Sequence, residues 1–225
     1  MKTNYTIKLL GGFFGMLALC LPVHAGYFTT ITIDGDFSDW SGVPLLVSDS
    51  TGDGNPVDMV ALYAANDDDY LYIRVEYSAS VAVNGTNAQI FIALDNDNNA
   101  ATGYDVYSLG VVGSEAGWQN DFPFAQDTGV FNSGGITDGA ALIAPYNTTT
   151  NSQEIAISLD ATFTSGGTSV FPNETFALAM YSAGTTVDDF IGAGVYTLAV
   201  PEPAEYASIL ALVSIAGVMF RRRRK

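Results

Sequence analysis

Oxygen-bearing side chains alternate along one short segment near the middle of the chain. Asp95, Asp97 and Asn99 occupy every second position directly after an apolar run. This spacing allows one tight turn to surround a hard cation such as Ca²⁺ with oxygen ligands at about 2.3 to 2.6 Å. The segment departs from an EF-hand loop, because its sixth position is Ala100 rather than glycine. We therefore expect a calcium site built from these three residues and completed by Asp105 or another loop carboxylate.

A second acidic cluster lies closer to the N terminus. Asp49, Asp53 and Asp58 alternate with glycines that allow backbone carbonyls to turn inward. The cluster is expected to form a second calcium site or part of the first one. For both clusters the alternative is that Asp, Asn and Gly are turn formers whose side chains bond to the backbone and to water. Both interpretations stay open at the level of the sequence.

Sugar binding would need flat aromatic rings flanked by carboxylates or amides, because a sugar presents an apolar C–H face and a rim of hydroxyls. Trp118 is the leading candidate for such a ring, with Gln119 and Asp121 beside it in the sequence. Tyr104 and Tyr107 are further candidates. Trp118 has two interpretations, an exposed sugar platform or a residue packed in the core.

The residue types available for catalysis are few. The only cysteine and the only histidine are Cys20 and His24, and no lysine occurs between residues 26 and 200. A Ser-His-Asp or Cys-His catalytic set, a zinc site built on His or Cys and a lysine Schiff base are therefore excluded there. A carboxylate pair acting on a glycoside remains as the least favoured alternative. We expect no enzyme, and a surface or metal-adjacent role for Glu154.

Short strands must position these side chains. Apolar residues alternate with period two in several runs, which indicates half-buried strands, as in Leu71, Ile73, Val75; Ile90, Ile92, Leu94; Ile155, Ile157, Leu159; and Phe176, Leu178, Met180. Clusters of Gly, Asn, Asp and Thr separate the runs and supply turns. Residues 26–200 are enough for one domain. The pattern predicts an all-β domain, a single antiparallel, jelly-roll-like β-sandwich.

Motifs in residues 33–159 resemble family-nine-like carbohydrate-binding modules and related extracellular sandwich domains. They are an Ile33-Asp34-Gly35 start near Trp40, the Leu71-Tyr72 strand after an acidic turn, and a strand that ends in the Asp-rich loop. The resemblance implies a noncatalytic domain that binds sugars and holds structural calcium. The alternative is a structural surface or biofilm-matrix protein without a sugar site.

The N terminus has the pattern of a secretory signal. Lys2 and Lys8 precede an apolar stretch from Leu9 to Leu21, which is followed by Val23-His24-Ala25. This pattern predicts that signal peptidase removes residues 1–25, and that the domain is exported across the inner membrane. A lipoprotein signal is disfavoured, because Leu19 rather than a small residue precedes Cys20.

The C terminus, residues 201–225, resembles a PEP-CTERM sorting signal. It combines a Pro-Glu-Pro triplet, an apolar segment from Tyr206 to Phe220 and a basic tail, namely Pro201, Glu202, Pro203 and Arg221, Arg222, Arg223, Arg224, Lys225. The apolar segment predicts a short transmembrane helix with the basic tail in the cytoplasm. The resemblance implies processing by an exosortase-type transpeptidase and delivery to the cell surface or an exopolysaccharide matrix. The alternative is an ordinary tail anchor.

The charge of the domain between these two signals is strongly negative. Residues 26–200 contain 22 acidic residues and one basic residue, Arg74, which gives a formal charge of −21. A domain of this charge should repel nucleic acid and anionic lipid, and it should attract divalent cations. The expected partners are therefore calcium and a polysaccharide, together with the two processing enzymes and, before processing, the membrane.

Overall fold

The computed structural model describes residues 26–83, 89–183 and 189–200. Within them the fold consists of antiparallel β-sheets with two short 3₁₀ helices, Phe37–Trp40 and Val106–Ser108. The predicted signal peptide (residues 1–25) and sorting signal (residues 201–225) lie outside the described residues. In the described part of the chain, no helix is long and apolar enough to cross a membrane.

The smaller main sheet has five strands in the order β1-β2-β3-β11-β10. Their bounds are β1 Leu45–Ser48, β2 Met59–Asn66, β3 Tyr70–Ala82, β10 Leu142–Ala144 and β11 Thr149–Ser158. All neighbouring strands in this sheet are antiparallel.

The larger sheet has seven strands in the order β12-β9-β8-β7-β4-β13-β14, also antiparallel throughout. Its strands are β4 Gln89–Asp95, β7 Ala116–Gln119, β8 Phe122–Asp127, β9 Val130–Thr137, β12 Thr162–Phe163, β13 Thr175–Ala183 and β14 Asp189–Thr197. A two-stranded ribbon, β5 Tyr104–Asp105 with β6 Gly113–Ser114, completes the described strands.

The core lies between the two main sheets and is built from the alternating residues of the sequence. The larger sheet contributes Ile92, Trp118 and Leu178, and the smaller sheet contributes Ile73 and Ile155. Side chains at positions i and i+2 of a strand point to the same face, so each alternating run lines the interior. The prediction of an all-β antiparallel sandwich is confirmed.

The outer face of the five-stranded sheet is covered by the N-terminal segment of the domain. Tyr72 and Ala156 of the sheet pack there against Ile31 and Trp40. Glu154, which is fully buried, fixes the segment: Oε1 accepts hydrogen bonds from the backbone N–H groups of residues 34 and 35 at 2.8 and 2.6 Å, and Oε2 accepts one from Trp40 Nε1 at 3.0 Å. The expected surface role of Glu154 is wrong, because the long-range contact with residues 34–40 encloses it.

The outer face of the seven-stranded sheet is covered by residues 96–112, the covering loop, which connects β4 to β6. Val106 and Val112 of this loop are buried against Phe91, Phe124 and other residues of the sheet. Each sheet is therefore apolar on its outer face as well as on its inner face. Among the described residues, this arrangement gives three hydrophobic clusters around the two main sheets.

The two ends of the domain meet at Asn66. The Asn66 Nδ2 group donates to the carbonyl of Ala199 at 3.0 Å, and Oδ1 accepts from the Ala199 N–H at 2.8 Å. The Asn66 backbone N–H donates to the carbonyl of Tyr27. Gly26 packs so closely that a Cβ there would lie 2.1 Å from the carbonyl oxygen of Thr197. Both termini therefore leave the sandwich at the same end.

Candidate functional site: two carboxylate clusters and an aromatic surface

Three carboxylates meet where β4 ends and β7 is about to begin. One oxygen each from Asp95, Asp97 and Glu115 lie within 4.8 Å of one another. Oxygens that contact one calcium ion at about 2.3 to 2.6 Å are separated by at most about 5 Å, so a single ion could contact all three. The cluster therefore has the donor atoms and the spacing of a calcium site, and we call it the loop-base cluster.

Asp95 also fastens the two ends of the covering loop. Its Oδ1 accepts from the Asn99 backbone N–H at 2.8 Å, and its Oδ2 accepts from the Gly113 N–H at 3.3 Å. Glu115 binds the loop start in the same way, because its Oε2 accepts from the Asn96 N–H at 3.0 Å. The loop-base cluster thus lies at the point where the loop leaves the sheet and returns to it.

The protonation of this cluster is shifted by its surroundings. Burial raises the pKa of Asp95, against the effect of its two backbone hydrogen bonds. Burial also raises the pKa of Glu115 to about 7, and the charges of Asp97 and Asp95 add to this shift. The Glu115 Oε1 atom is buried and has no hydrogen-bond partner among the described residues. The site therefore favours either a proton or a cation at Glu115.

Glu115 is the residue that sequence reasoning missed. Asp105, one of the two alternatives for completing the site, accepts from the Gly110 N–H at 2.8 Å and shapes the tip of the loop. Asn99 contributes its backbone N–H to Asp95, and its side-chain oxygen accepts from the Ala101 N–H. Glu115 lies outside the acidic run and reaches it only because β7 pairs with β4.

The second predicted cluster also forms, but one of its three residues differs from the prediction. Oxygens of Asp49, Asp53 and Asp189 lie within 4.8 Å of one another. Asp58, predicted as a ligand, is not in this group. Its carboxylate accepts from the N–H groups of Gly52 and Gly54 and shapes their turn. Asp58 therefore shapes the turn beside the cluster, and Asp189 joins Asp49 and Asp53 in it.

The pKa shifts agree with these different roles. Burial alone would raise the pKa of Asp58, but hydrogen bonds from Ser78, Gly52 and Gly54 lower it. Burial raises the pKa of Asp189, although its carboxylate accepts hydrogen bonds from the backbone N–H groups of Met59 and Phe190. Asp58 is a stabilised anion, whereas the charge of Asp189 is not fully compensated.

Trp118 lies in the core. Its side chain is 0% exposed, and its Nε1 group donates to the carbonyl of Gly139 at 2.7 Å. The expectation of an exposed sugar platform at Trp118 is wrong, and the core interpretation is right. The physical reason is register: Trp118 pairs with Ile92, and both side chains point between the sheets.

The other aromatic candidates lie on the opposite, outer face of the same sheet. Ring centroids of neighbouring members are 4.9 to 5.9 Å apart in a continuous cluster that we call the outer aromatic surface: Phe91, Tyr104, Tyr107, Phe131 and Tyr181. Tyr107 is 39% exposed and Phe131 is 38% exposed. Partly exposed rings that are held by neighbouring rings can receive the apolar face of a ligand at low entropic cost.

Polar groups border this surface. Gln119 pairs with Phe91, and its Nε2 donates to the Gln89 side chain at 2.8 Å. The Tyr107 hydroxyl donates to the carbonyl of Ser182. Asp121 is exposed in the turn between β7 and β8. Of the five predicted sugar-binding residues, Gln119, Tyr104 and Tyr107 are brought to this face, Asp121 lies in the adjacent turn and Trp118 is excluded.

An open groove of about 690 Å³ is lined by residues other than those of the outer aromatic surface. Its aromatic and aliphatic lining includes Tyr70, Phe122 and Leu142, with Asp138 as its charged residue. Phe122 is the most exposed of these three apolar side chains. The groove lacks the ring-to-ring support of the outer aromatic surface, apart from the contact of Tyr70 with Tyr72.

Two solved structures resemble this fold. One is a family 9 carbohydrate-binding module from Caldicellulosiruptor kristjanssonii in complex with cellotriose, 14% identical, with 80% of this chain and 95% of that chain covered at a TM-score of 0.48. The other is a family 9 module from the same organism in complex with glucose, 13% identical, with 79% and 96% covered at 0.47. No protein-family model and no curated protein matches this sequence. Similarity this low assigns neither a ligand nor a residue role to the chain.

Proposed function

We propose that this protein is an exported, noncatalytic carbohydrate-binding domain that is stabilised by calcium. The observation that carries the proposal is the outer aromatic surface, where the rings of Tyr107 and Phe131 are half exposed and Gln119 is the strand partner of Phe91. Sugar rings stack on such faces, and amides bind their hydroxyls. The formal charge of −21 favours an uncharged polysaccharide over an anionic polymer such as nucleic acid.

Calcium has a defined role in this proposal. The loop-base cluster holds the start and the end of the covering loop, and this loop carries Tyr104 and Tyr107. A divalent cation there would offset two of the three negative charges and fix both ends of the loop at the sheet. The cluster of Asp49, Asp53 and Asp189 is proposed as a second, independent calcium site at the start of β14.

The sorting route is proposed from the two terminal signals. Signal peptidase would release the domain after Ala25, and the segment from Pro201 would hold it in the membrane until an exosortase-type enzyme processes it. The domain would then reside at the cell surface or in an extracellular matrix. A structural matrix protein without a sugar site remains the alternative, since the burial of Trp118 removes one candidate ring.

The proposal is tested by sugar binding with and without calcium. Purified protein is expected to bind neutral oligosaccharides in calcium, and Phe131→Ala and Tyr107→Ala should each weaken binding about tenfold or more, the equivalent of about 1.4 kcal/mol. Tyr146→Ala is a matched control, because Tyr146 is exposed but lies outside the outer aromatic surface. Absence of binding by a folded protein on a broad glycan array would favour the structural matrix role.

A further inference from the structure

A row of side chains crosses the outer face of the seven-stranded sheet from strand to strand. Strand pairing places Gln119 of β7 between Phe91 of β4 and Phe122 of β8. At the other end of the row, Tyr181 of β13 pairs with Phe91, and the Tyr107 ring packs against Tyr181 at 5.4 Å. Residues directly opposite one another on paired strands share a face of the sheet. With neighbouring strands about 4.8 Å apart, the row from Tyr181 to Phe122 spans about 14 Å, which is longer than a single sugar ring.

Phe122 ends this row and is the most exposed aromatic residue in the described part of the chain. It is 63% exposed, whereas Phe91 is buried and stacks on Tyr181. Single exposed apolar side chains are ordinary on a protein surface. Phe122, however, pairs with Gln119 on one side and lines the open groove on the other. It therefore links the outer aromatic surface to the groove.

The groove takes its lining from both main sheets. The seven-stranded sheet contributes Phe122 and Ile136, and the five-stranded sheet contributes Tyr70, Leu142 and Ser158. Leu142 and Tyr70 are both exposed. The volume of about 690 Å³ lies within the range of about 300 to 1,000 Å³ that is usual for ligand sites. The groove is therefore large enough to hold part of an oligosaccharide.

The polar groups of the groove suit the hydroxyls of an uncharged sugar. Asp138 is exposed and offers its carboxylate oxygens as acceptors. The Ser158 Oγ atom accepts from the Asp160 N–H at 3.2 Å, which leaves its hydroxyl proton able to donate. The Tyr70 hydroxyl can donate or accept. Asp138 is the charged residue of the lining, so it adds to the formal charge of −21 in repelling an anionic chain.

We propose that Phe122 and the groove extend the carbohydrate-binding surface, so that the domain binds a run of several neutral sugar residues within a polysaccharide chain. This inference deepens the proposed function and rests on it. The chain runs from the Tyr107 ring along the row, past the amide of Gln119 and over Phe122, into the groove between the two sheets. The covering loop stays in place throughout, since Asp95 holds both of its ends.

Affinity as a function of chain length tests the inference. The probes are cello-, xylo- and chito-oligosaccharides from the disaccharide to the hexasaccharide, and the series that the wild type binds is followed by calorimetry in calcium. Wild-type affinity should rise with length. Phe122→Ala and Leu142→Ala should each bind the hexasaccharide about tenfold more weakly and the disaccharide as the wild type does, because only longer chains reach the groove. Tyr107→Ala should weaken binding at every length.

Two matched variants control for the loss of an exposed side chain. Tyr146→Ala and Val195→Ala each remove an exposed apolar group that lines neither the row nor the groove, so affinity should not change at any length. Phe122 and Leu142 are exposed, so their variants should melt at the wild-type temperature, and any loss of binding then reports a lost contact. The hexamer of galacturonic acid is the anionic probe and should not bind.

Four results would overturn the inference. If Phe122→Ala binds the hexasaccharide as tightly as the wild type does while Tyr107→Ala binds it weakly, the groove is rejected and the proposed function stands. Equal losses for the disaccharide and the hexasaccharide in Phe122→Ala would make Phe122 part of the primary site and not an extension of it. Tight binding of the galacturonate hexamer would contradict a neutral chain. A folded wild type that binds no oligosaccharide of any length would remove the proposed function, and the extension with it.

Discussion

The carboxylates of this domain differ in what compensates their charge. Glu154 and Asp58 accept several hydrogen bonds from backbone N–H groups, so each is satisfied by the fold itself. Glu115 has one backbone partner and two acidic neighbours, and its pKa rises to about 7 mainly through burial. At the residue scale, Glu115 is therefore the group at which a proton and a cation compete.

We predict that stability depends on pH through Glu115. Its folded-state pKa lies above the ordinary value of 4.5, so the protonated form favours the folded state. Without calcium, the melting temperature should fall as the pH rises from about 4.5 to about 7. With excess calcium the fall should disappear, because the ion replaces the proton and stabilises the folded protein by mass action. Melting curves in chelator and in calcium at pH 5 and pH 7.5 measure both effects.

Glu115→Gln is the control for this prediction. The neutral amide should diminish the pH dependence between 4.5 and 7 and reduce the stabilisation by calcium. Asp58 and Asp67 act in the opposite direction and at lower pH, because their pKa values are lowered and the stability they provide is lost only below the ordinary value of 3.8. An undiminished slope in the variant would show that another group is responsible.

At the scale of secondary-structure elements, two long irregular segments cover the outer faces of the two sheets. The N-terminal segment covers the five-stranded sheet through Trp40, and the covering loop covers the seven-stranded sheet through Val106 and Val112. Glu154 fixes the first segment, and Asp95 fixes both ends of the second. Glu154 is fully buried and holds three donors, so this attachment needs no cation.

We predict that Glu154→Gln loosens the N-terminal segment. The new amide nitrogen would face the Trp40 Nε1 donor or the two backbone donors, so at least one buried donor loses its acceptor. The expected loss is about 1 to 3 kcal/mol in the free energy of unfolding, measured by urea denaturation. Glu76→Gln is the control: Glu76 forms an ion pair with Arg74 at 2.7 Å, but is 32% exposed, so its loss should be at most about 1 kcal/mol.

Equal losses in the two variants would contradict the role of Glu154 in holding the N-terminal segment. So would hydrogen exchange of residues 31–40 that stays as slow in Glu154→Gln as in the wild type, because detachment of the segment should speed exchange there before the sheets open.

The whole molecule is closed by the contact between its two ends. Asn66 bonds the main chain of Tyr27 and Ala199, and its Oδ1 also accepts from the Tyr196 hydroxyl at 2.8 Å. The loop-base cluster lies towards this end of the sandwich, since Asp95 pairs with Ala177 near the start of β13. The cluster of Asp49, Asp53 and Asp189 lies at the other end, where β14 starts. Any attachment through the segment after Val200 would therefore hold the domain by the end that carries Asn66.

We predict that Asn66→Ala destabilises the domain by about 2 to 3 kcal/mol, because the N–H and carbonyl of Ala199 and the hydroxyl of Tyr196 lose their side-chain partner. Hydrogen exchange should become faster at residues 196–199, and also at Tyr27, because its N–H donates to the Tyr196 hydroxyl that Asn66 holds. Asn173→Ala, which removes one hydrogen bond to the Asn96 carbonyl, should cost less. A loss in Asn66→Ala no larger than that of the control would show that the two ends are held by other contacts.

The sequence by itself determined the class of fold and the limits of the chemistry. Period-two alternation is a local property of a strand, so the runs around Ile73, Ile92, Ile155 and Leu178 predicted the interior of the sandwich correctly. The absence of Cys, His and Lys from residues 26–200 restricts the chemistry whatever the fold. The positions of Asp95 and Asp97 were also predictable, because neighbours in one turn stay neighbours after folding.

The tertiary structure decided which candidates meet. Alternation shows that Trp118 and Gln119 point to opposite faces, but both faces of the larger sheet are covered, and only packing determines which face is the central core. Glu115 and Asp189 join their clusters through strand pairing and loop closure across long stretches of sequence. No local pattern encodes such a contact, because it depends on the order of strands in the sheet, and the order is set by the burial of the whole chain.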